Sequence, residues 1–238
     1  MNKKSSSSVP SESLLSRGVS RVRYLGLRAI PRIAIYRLLS ELFHYRATRC
    51  VWADLENWRP VSSNQVPFEI RPLSQEEIKS QAERMGEDPN DADQVIAAGG
   101  EALGALKGTS VASYVWISPY PPALNGAFAL QFDERLAFFY RAFTLPEFRG
   151  LGLMPAVLRA ALERCASRGY RGAVACIDAA NRPSRIAFRS AGFKTIATFR
   201  YAKIFGKHRI HPAQSERTPR FRVQRLAEKG GSGPSWSE

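Results

Sequence analysis

The sequence predicts a single α/β (α+β) domain carried between two basic flanks. Three observations predict it. Strand-like and helical stretches alternate through the middle of the chain, from about residue 67 to residue 206. A glycine-rich segment, Arg149-Gly150-Leu151-Gly152, stands between a strand-like run and a helical one. The 238 residues are 44% hydrophobic and 11% aromatic, a globular composition that leaves room for one sizeable core with extensions.

The charge is unevenly spread. The net charge is +14, and residues 1–60 hold 11 Lys and Arg against 4 Asp and Glu. Residues 206–238 hold 7 against 3, while residues 61–205 hold a nearly balanced 17 against 14. Basic flanks of this kind suit an anionic membrane, an acidic partner or nucleic acid, or simply solubilise the chain. No apolar run reaches membrane-spanning length, and the N-terminus lacks the apolar core of a secretory signal. The three cysteines (Cys50, Cys165, Cys176) show no metal-ligand spacing. Reduced thiols in a cytoplasmic protein, with no metal, are the expectation.

The elements are expected in the following order. Residues 1–18 are Ser-rich and read as a disordered tail. Residues 19–60 read as a basic helical extension. Within it, Ile35, Leu38, Leu39, Leu42 and Phe43 recur at helical spacing among arginines, and Pro31 marks a break. This amphipathic stretch is expected either to lie on a membrane surface or to pack on the domain that follows.

The domain itself is placed at 61–206. PFEIRPLS (67–74) reads as a strand. Residues 75–86 read as a helix with acids in its first turn, and residues 90–100 as a second helix ending at a glycine stop. Residues 101–118 read as two strands turning at Lys107-Gly108. SPYPPALN is turn-rich. Two further strands follow, turning at 133–135. Residues 153–168 form a helix with Val157, Leu158, Ala161, Leu162 and Cys165 on one face. Residues 172–179 are a short apolar strand, 182–192 a helix ending at Gly192, and 193–206 the last strand or hairpin. Residues 207–238 read as a basic, disordered tail.

The glycine segment carries the chemistry. Glycines let backbone N–H groups approach a ligand with no Cβ in the way, and a helix start adds unpaired donors and positive potential. The combination is an anion cradle, most naturally for a pyrophosphate, with Arg149 adding a formal charge. It is neither GxGxxG nor GxxxxGK[ST].

Taken with AVACIDAANRPSRIAFRSAGF (173–193), the stretch LPEFRGLGL (145–153) resembles the GNAT acyl-CoA N-acyltransferase superfamily. The resemblance covers about 67–205. It implies a central mixed, mostly antiparallel twisted sheet with helices on both faces and a splayed pair of parallel strands where acyl-CoA binds. It further implies acetyl transfer from acetyl-CoA to a primary amine (a small amine, an envelope amino sugar or a protein amine) by direct attack on the thioester.

Under the same resemblance, a backbone amide of Ala142, Phe143 or Thr144 would polarise the thioester carbonyl. Arg149, Gly150, Leu151, Gly152, Leu153 and Met154 would surround the pyrophosphate. Asn181, Ser184 and Phe188 would lie along the pantetheine.

Two departures stand out. Met154 occupies a position where Gly or Ala is usual. Phe188 occupies the position of a tyrosine that protonates the leaving thiolate, and phenylalanine has no proton to give. Either Tyr140, Tyr201 or a water takes that role or the thiolate leaves unaided, and Asp178 and Glu147 are the nearest carboxylates for a base. On the acceptor side, residues 75–100 and 118–127 bring Tyr120, Asp88, Asp91 and Asp93.

The missing tyrosine also keeps open a non-catalytic acyl-CoA-binding or interaction module. Nucleic-acid binding through the flanks ranks last, because no nucleic-acid motif is present. The expected place is the cytoplasm, with peripheral contact at the inner face of the membrane through the basic helix as the open alternative.

Overall fold

The computed structural model describes residues 45–58, 67–86, 88–120, 123–125, 128–133, 135–204, 207–214 and 222–225. Its strands are β1 (Arg46–Asp54), β2 (Glu69–Pro72), β3 (Glu101–Lys107), β4 (Ser110–Ser118), β5 (Ala123–Asn125) and β6 (Phe128–Gln131), followed by β7 (Leu136–Thr144), β8 (Gly172–Asp178), β9 (Lys194–Ile204), β10 (Lys207–Gln214) and β11 (Arg222–Arg225). Its helices are α1 (Gln75–Met85), α2 (Pro89–Ala97), α3 (Leu153–Ser167) and α4 (Arg182–Ser190).

Eight strands form one mixed sheet in the order β10-β9-β1-β8-β7-β4-β3-β2. Every pair is antiparallel except β7 with β8. Helices cover both faces, as the sequence predicts. On one face, Val157, Leu158, Ala161, Leu162 and Cys165 of α3 pack against Leu103, Val115, Phe139 and Ala175. On the other, Ile78 and Met85 of α1 pack against Leu106, Val111, Tyr114 and Trp116. Strand β4 lies between these layers and is buried along almost its whole length. A strand covered on both faces reads as a continuous apolar run, which VASYVWIS nearly is.

Local signals place the first helix. Ser74 accepts a hydrogen bond from the Glu77 N–H at 3.2 Å, and Glu77 accepts one from the Ser74 N–H at 2.9 Å, a reciprocal capping box. Gly86 ends α1 in the left-handed conformation. Arg71 of β2 clamps the same Glu77 with two bonds of 2.8 and 2.6 Å. The Glu77 carboxyl is consequently lowered to about 2, first by Arg71 and then by the Ser74 backbone.

Two expectations are corrected. Residues 46–54 do not belong to a helical extension; they form β1, near the middle of the sheet between β8 and β9. Cys50, Val51 and Ala53 are buried there. The strand fills a gap between two elements more than a hundred residues downstream, so its pairing leaves no local trace. The rest of that extension, up to residue 44, lies outside the described residues.

The tail from 207 onward also contains structure. β10 extends the sheet as a hairpin with β9, and β11 pairs with β6 in a second sheet of order β11-β6-β5. In sequence, Pro212 and the charges around it hid β10. Among the described residues it is the last strand of the sheet and pairs on one side only, which tolerates both proline and polar residues.

Candidate active site

The cleft begins where β7 and β8 part. They pair in parallel only from Leu136–Gly172 to Phe139–Ala175, although both strands run on. The cause lies on the opposite side of β7. Between the pairs Tyr114–Phe143 and Trp116–Tyr140, β4 advances two residues while β7 advances three. This bulge contains Arg141, the one non-glycine with positive φ (47°) among the described residues. A bulge bends its strand and increases its twist, so β7 swings away from β8 at this point.

The bend exposes backbone. Leu145 N–H donates to the Ala112 carbonyl at 3.0 Å, toward β4. Backbone groups alternate sides along a strand, so the Thr144 N–H and C=O point the other way, into the gap left by β8. The Thr144 side chain is turned from the gap: its hydroxyl meets Ser113 Oγ at 2.8 Å, and Ser113 also donates to the Phe143 carbonyl at 3.2 Å. Ser113 is fully buried, and sequence reading did not single it out.

The segment expected to cradle an anion sits at the end of β7. Pro146–Phe148 makes one 3-10 turn, fixed by Phe148 N–H to Leu145 O at 3.0 Å. Glu147, a candidate base in the sequence, is held by Arg84 at 3.0 Å. Arg149 is exposed and doubly positioned. Its Nε donates to the Thr144 carbonyl at 3.1 Å, and its guanidinium lies 5.5 Å from the centre of the Phe143 ring.

Gly150 and Gly152 follow with φ of 86° and 72°. A Cβ added at either would meet nothing within 4 Å, so both glycines border open space. Gly152 is the N-cap of α3, and no side chain caps that helix. Its first turn carries no acid, so its positive end is not neutralised. Pro155 removes one donor of this turn and leaves the Leu153 and Met154 N–H groups. The Leu153 side chain is buried, Met154 is half-buried and Leu151 is exposed. Here the groups open to a ligand are backbone more than side chain.

The far wall belongs to β8 and α4. Asp178 is exposed, and its Oδ1 accepts from Ala180 N–H at 2.7 Å, shaping the turn into α4. Asn181 caps that helix, its Oδ1 accepting from Ser184 N–H at 3.1 Å. Its side-chain NH2 group is then the remaining donor. Phe188 is only 3% exposed and stacks edge-on against Phe193, with ring centres 4.9 Å apart. Trp58 covers Gly192, 3.3 Å from where a Cβ would stand.

Tyr140 is half-buried on the opposite face of the sheet, stacked on Trp116 at 6.3 Å. Of the acceptor-side acids, Asp93 is engaged by Lys79 at 2.8 Å and Gln75 at 2.7 Å. Tyr120 is 67% exposed. Among the described residues, no group of His, Cys, Asp and Glu is arranged to hold a metal.

Positive charge also gathers beside α4, which the sequence reading missed. Arg185 has its pKa lowered, chiefly by burial and then by Arg49 and Arg182, and its Nε is buried without a hydrogen-bond partner among the described residues. Arg49 is contributed by β1, so only the tertiary fold joins it to the two arginines of α4.

The comparisons with known proteins come from the same region. The acetyltransferase (GNAT) family model matches residues 52–193. No curated protein matches the chain. Among solved structures, a putative GNAT acetyltransferase from Novosphingobium aromaticivorans is 17% identical with a TM-score of 0.48, covering 66% of this chain and 63% of its own. A Drosophila protein is 16% identical with a TM-score of 0.51, covering 76% and 59%. A GNAT-family acetyltransferase from Colwellia psychrerythraea is 15% identical with a TM-score of 0.46, covering 70% and 55%. This chain therefore spans less than two thirds of each of those three chains. With the Drosophila protein, at 16% identity and a TM-score of 0.51, what is shared is the fold.

Proposed function

We propose, from the premise that the chain belongs to the GNAT acetyltransferase family, that it transfers the acetyl group of acetyl-CoA to a primary amine. The observation that carries this reading is the junction of the β7–β8 gap with the bare, uncapped start of α3. The gap offers backbone N–H and C=O groups that an amide-bearing chain can pair with as an added strand would. The glycine cradle and Arg149 stand at its end, where a pyrophosphate would lie.

Acetyl-CoA supplies an activated acyl group and a thiolate that leaves readily. The protein supplies position and electrostatics. The Thr144 N–H is the donor aimed into the gap and so is suited to stabilise negative charge on the attacked carbonyl oxygen. The Arg149 guanidinium, held by the Thr144 carbonyl, meets the phosphates. The NH2 group of Asn181 is placed for an amide on the opposite wall. The amine must arrive neutral or lose its proton within the site, and Asp178, at the end of β8, is the candidate carboxylate for that step.

The test is turnover. Full-length protein is incubated with acetyl-CoA and a panel of small amines, amino sugars and peptides, with released thiol and acetylated product both measured. Thiol release matched by an acetylated amine supports the reading.

A specific observation favours a second reading. Phe188 is buried and has no proton for the departing thiolate. A protein that binds acetyl-CoA tightly and acetylates nothing in the panel would be an acyl-CoA-binding module.

Peripheral membrane contact through the basic segment 19–44 belongs with this proposal. No described helix is long and apolar enough to cross a membrane. Surface contact predicts salt-sensitive sedimentation with anionic vesicles that is lost when that segment is removed.

A further inference from the structure

Cys50 of β1 and Cys176 of β8 are directly opposed in the antiparallel register. In that ladder Ala179 N–H donates to Ala47 O at 2.7 Å, and Leu55 N–H donates to Arg171 O at 2.9 Å. Each of these is a facing pair that shares a hydrogen bond, and such pairs recur at every second residue. Cys50 and Cys176 fall between them, at a pair that shares none. Facing residues at such positions stand about 4.5 Å apart at Cα, with their side chains close and on the same face. That spacing lies within the range of about 4.4–6.8 Å that disulfides span.

The side-chain geometry agrees. Both side chains lie on one face of the sheet in one cluster, Cys50 within it and Cys176 packed against it. Cys50 is fully buried, and Cys176 is partly open to solvent. The Cys50 thiol is pushed up in pKa, first by its hydrogen bond to Cys176 and then by burial. The third cysteine, Cys165, is buried under α3 in the core on the other face of the sheet. Cys176 is also the first residue of β8 beyond its last pairing with β7, so it stands at the root of the cleft.

We propose that Cys50 and Cys176 are a redox-active dithiol that low-molecular-weight disulfides convert to a cross-strand disulfide. The reaction takes two exchanges. Cys176, the solvent-facing thiol, attacks as the thiolate at one sulfur of the oxidant. The oxidant's S–S bond breaks, one half leaves as a thiolate that takes up a proton, and a mixed disulfide forms on Cys176. Cys50 then attacks the Cys176 sulfur, loses its proton and displaces the second half as a thiol. Two protein thiols are oxidised, one disulfide is reduced to two thiols, and the two protons given up by the cysteines end on those thiols. The bridge closes the chain from residue 50 to residue 176, and a loop of that length gains strongly from cross-linking. It also ties β1 to the wall of the cleft.

The test uses the full chain without acyl-CoA, so its outcome is independent of the acetyl-transfer reading. Protein is equilibrated in mixtures of reduced and oxidised glutathione, quenched with acid and alkylated. It is then mapped by peptide mass, with thermal unfolding measured in parallel. The expected result is a Cys50–Cys176 link with Cys165 still free, unchanged in Cys165→Ser, and a midpoint temperature higher by on the order of 5–10 °C. In Cys50→Ser no resolving thiol remains, and glutathione should accumulate on Cys176. The proposal is overturned if all three thiols of the folded wild type stay free at every ratio. It is equally overturned if the link forms only in denaturant or requires Cys165. The wild-type map decides the question even if Cys50→Ser fails to fold.

Discussion

Helices α1 and α3 both follow a strand of the same sheet, yet they begin in opposite ways. The start of α1 is closed: Ser74 and Glu77 satisfy each other's backbone donors, and Arg71 clamps Glu77 from the strand before. The start of α3 is open: Gly152 has no side chain to cap with, Gly150 beside it is equally bare, and both face empty space. A glycine in place of a capping side chain gives up a few tenths of a kcal/mol, on the order of 0.3 kcal/mol. The difference separates a helix start closed by its own side chains from one whose backbone donors stay open, where the proposed anionic ligand would bind.

The sharpest way to break this contrast is to fill the open end. Gly152→Val places a branched side chain in the cradle at a left-handed position. Acetyl-CoA affinity should fall by roughly a hundredfold or more, with a backbone cost of about 1–2 kcal/mol visible in unfolding. Calorimetric titration beside a denaturant melt separates the two effects. Arg149→Ala removes one charge-assisted contact and should weaken binding by roughly tenfold to a hundredfold with little change in stability. Equal affinity in this variant would mean that the arginine serves only Thr144 and Phe143.

Asn181 tests a helix start of intermediate kind, capped and beside the cleft. Asn181→Asp keeps a good cap and loses the NH2 donor, so stability should hold while affinity drops several-fold. Ser74→Ala is the converse at α1. It should cost about 1 kcal/mol, or roughly 2–4 °C in midpoint, and leave acetyl-CoA binding unchanged.

The smallest effect is on acid stability. The Glu77 carboxyl titrates lower in the folded chain, at about 2, than its unfolded value. The unfolded state therefore binds the proton first. The contribution of Glu77 is present at neutral pH and is lost as pH falls from about 4.5 toward 2. The stability of Glu77→Gln should be flatter than wild type across that window when followed by urea melts.

What could be read in the sequence divides along the same line. Elements set by local pattern were legible: the apolar face of α3, the acidic first turn of α1, the β3–β4 hairpin turning at Gly108 (φ 62°), and the bare glycines. Features set by partners distant in the chain were not. Strand β1 looks like the end of a basic helical segment until β8 and β9 enclose it. Strand β10 carries Pro212 because, among the described residues, its outer edge has no partner in the sheet. The bulge at Arg141 has no glycine to announce it, yet it opens the cleft. The family motif identified Thr144 as a candidate, but its orientation depends on Ser113 and Ala112 across the ladder. Arg49 joins Arg182 and Arg185 only in the folded chain.

The central claim is that the open start of α3 holds the phosphates of an acyl-CoA. The most direct test is calorimetric titration of the full-length protein with acetyl-CoA and, in parallel, with acetyl-pantetheine, which lacks the pyrophosphate. The account predicts acetyl-CoA binding on the order of micromolar, about −8 kcal/mol, and acetyl-pantetheine binding weaker by at least tenfold. Equal affinity for the two ligands, or no binding of acetyl-CoA by folded protein, would contradict it.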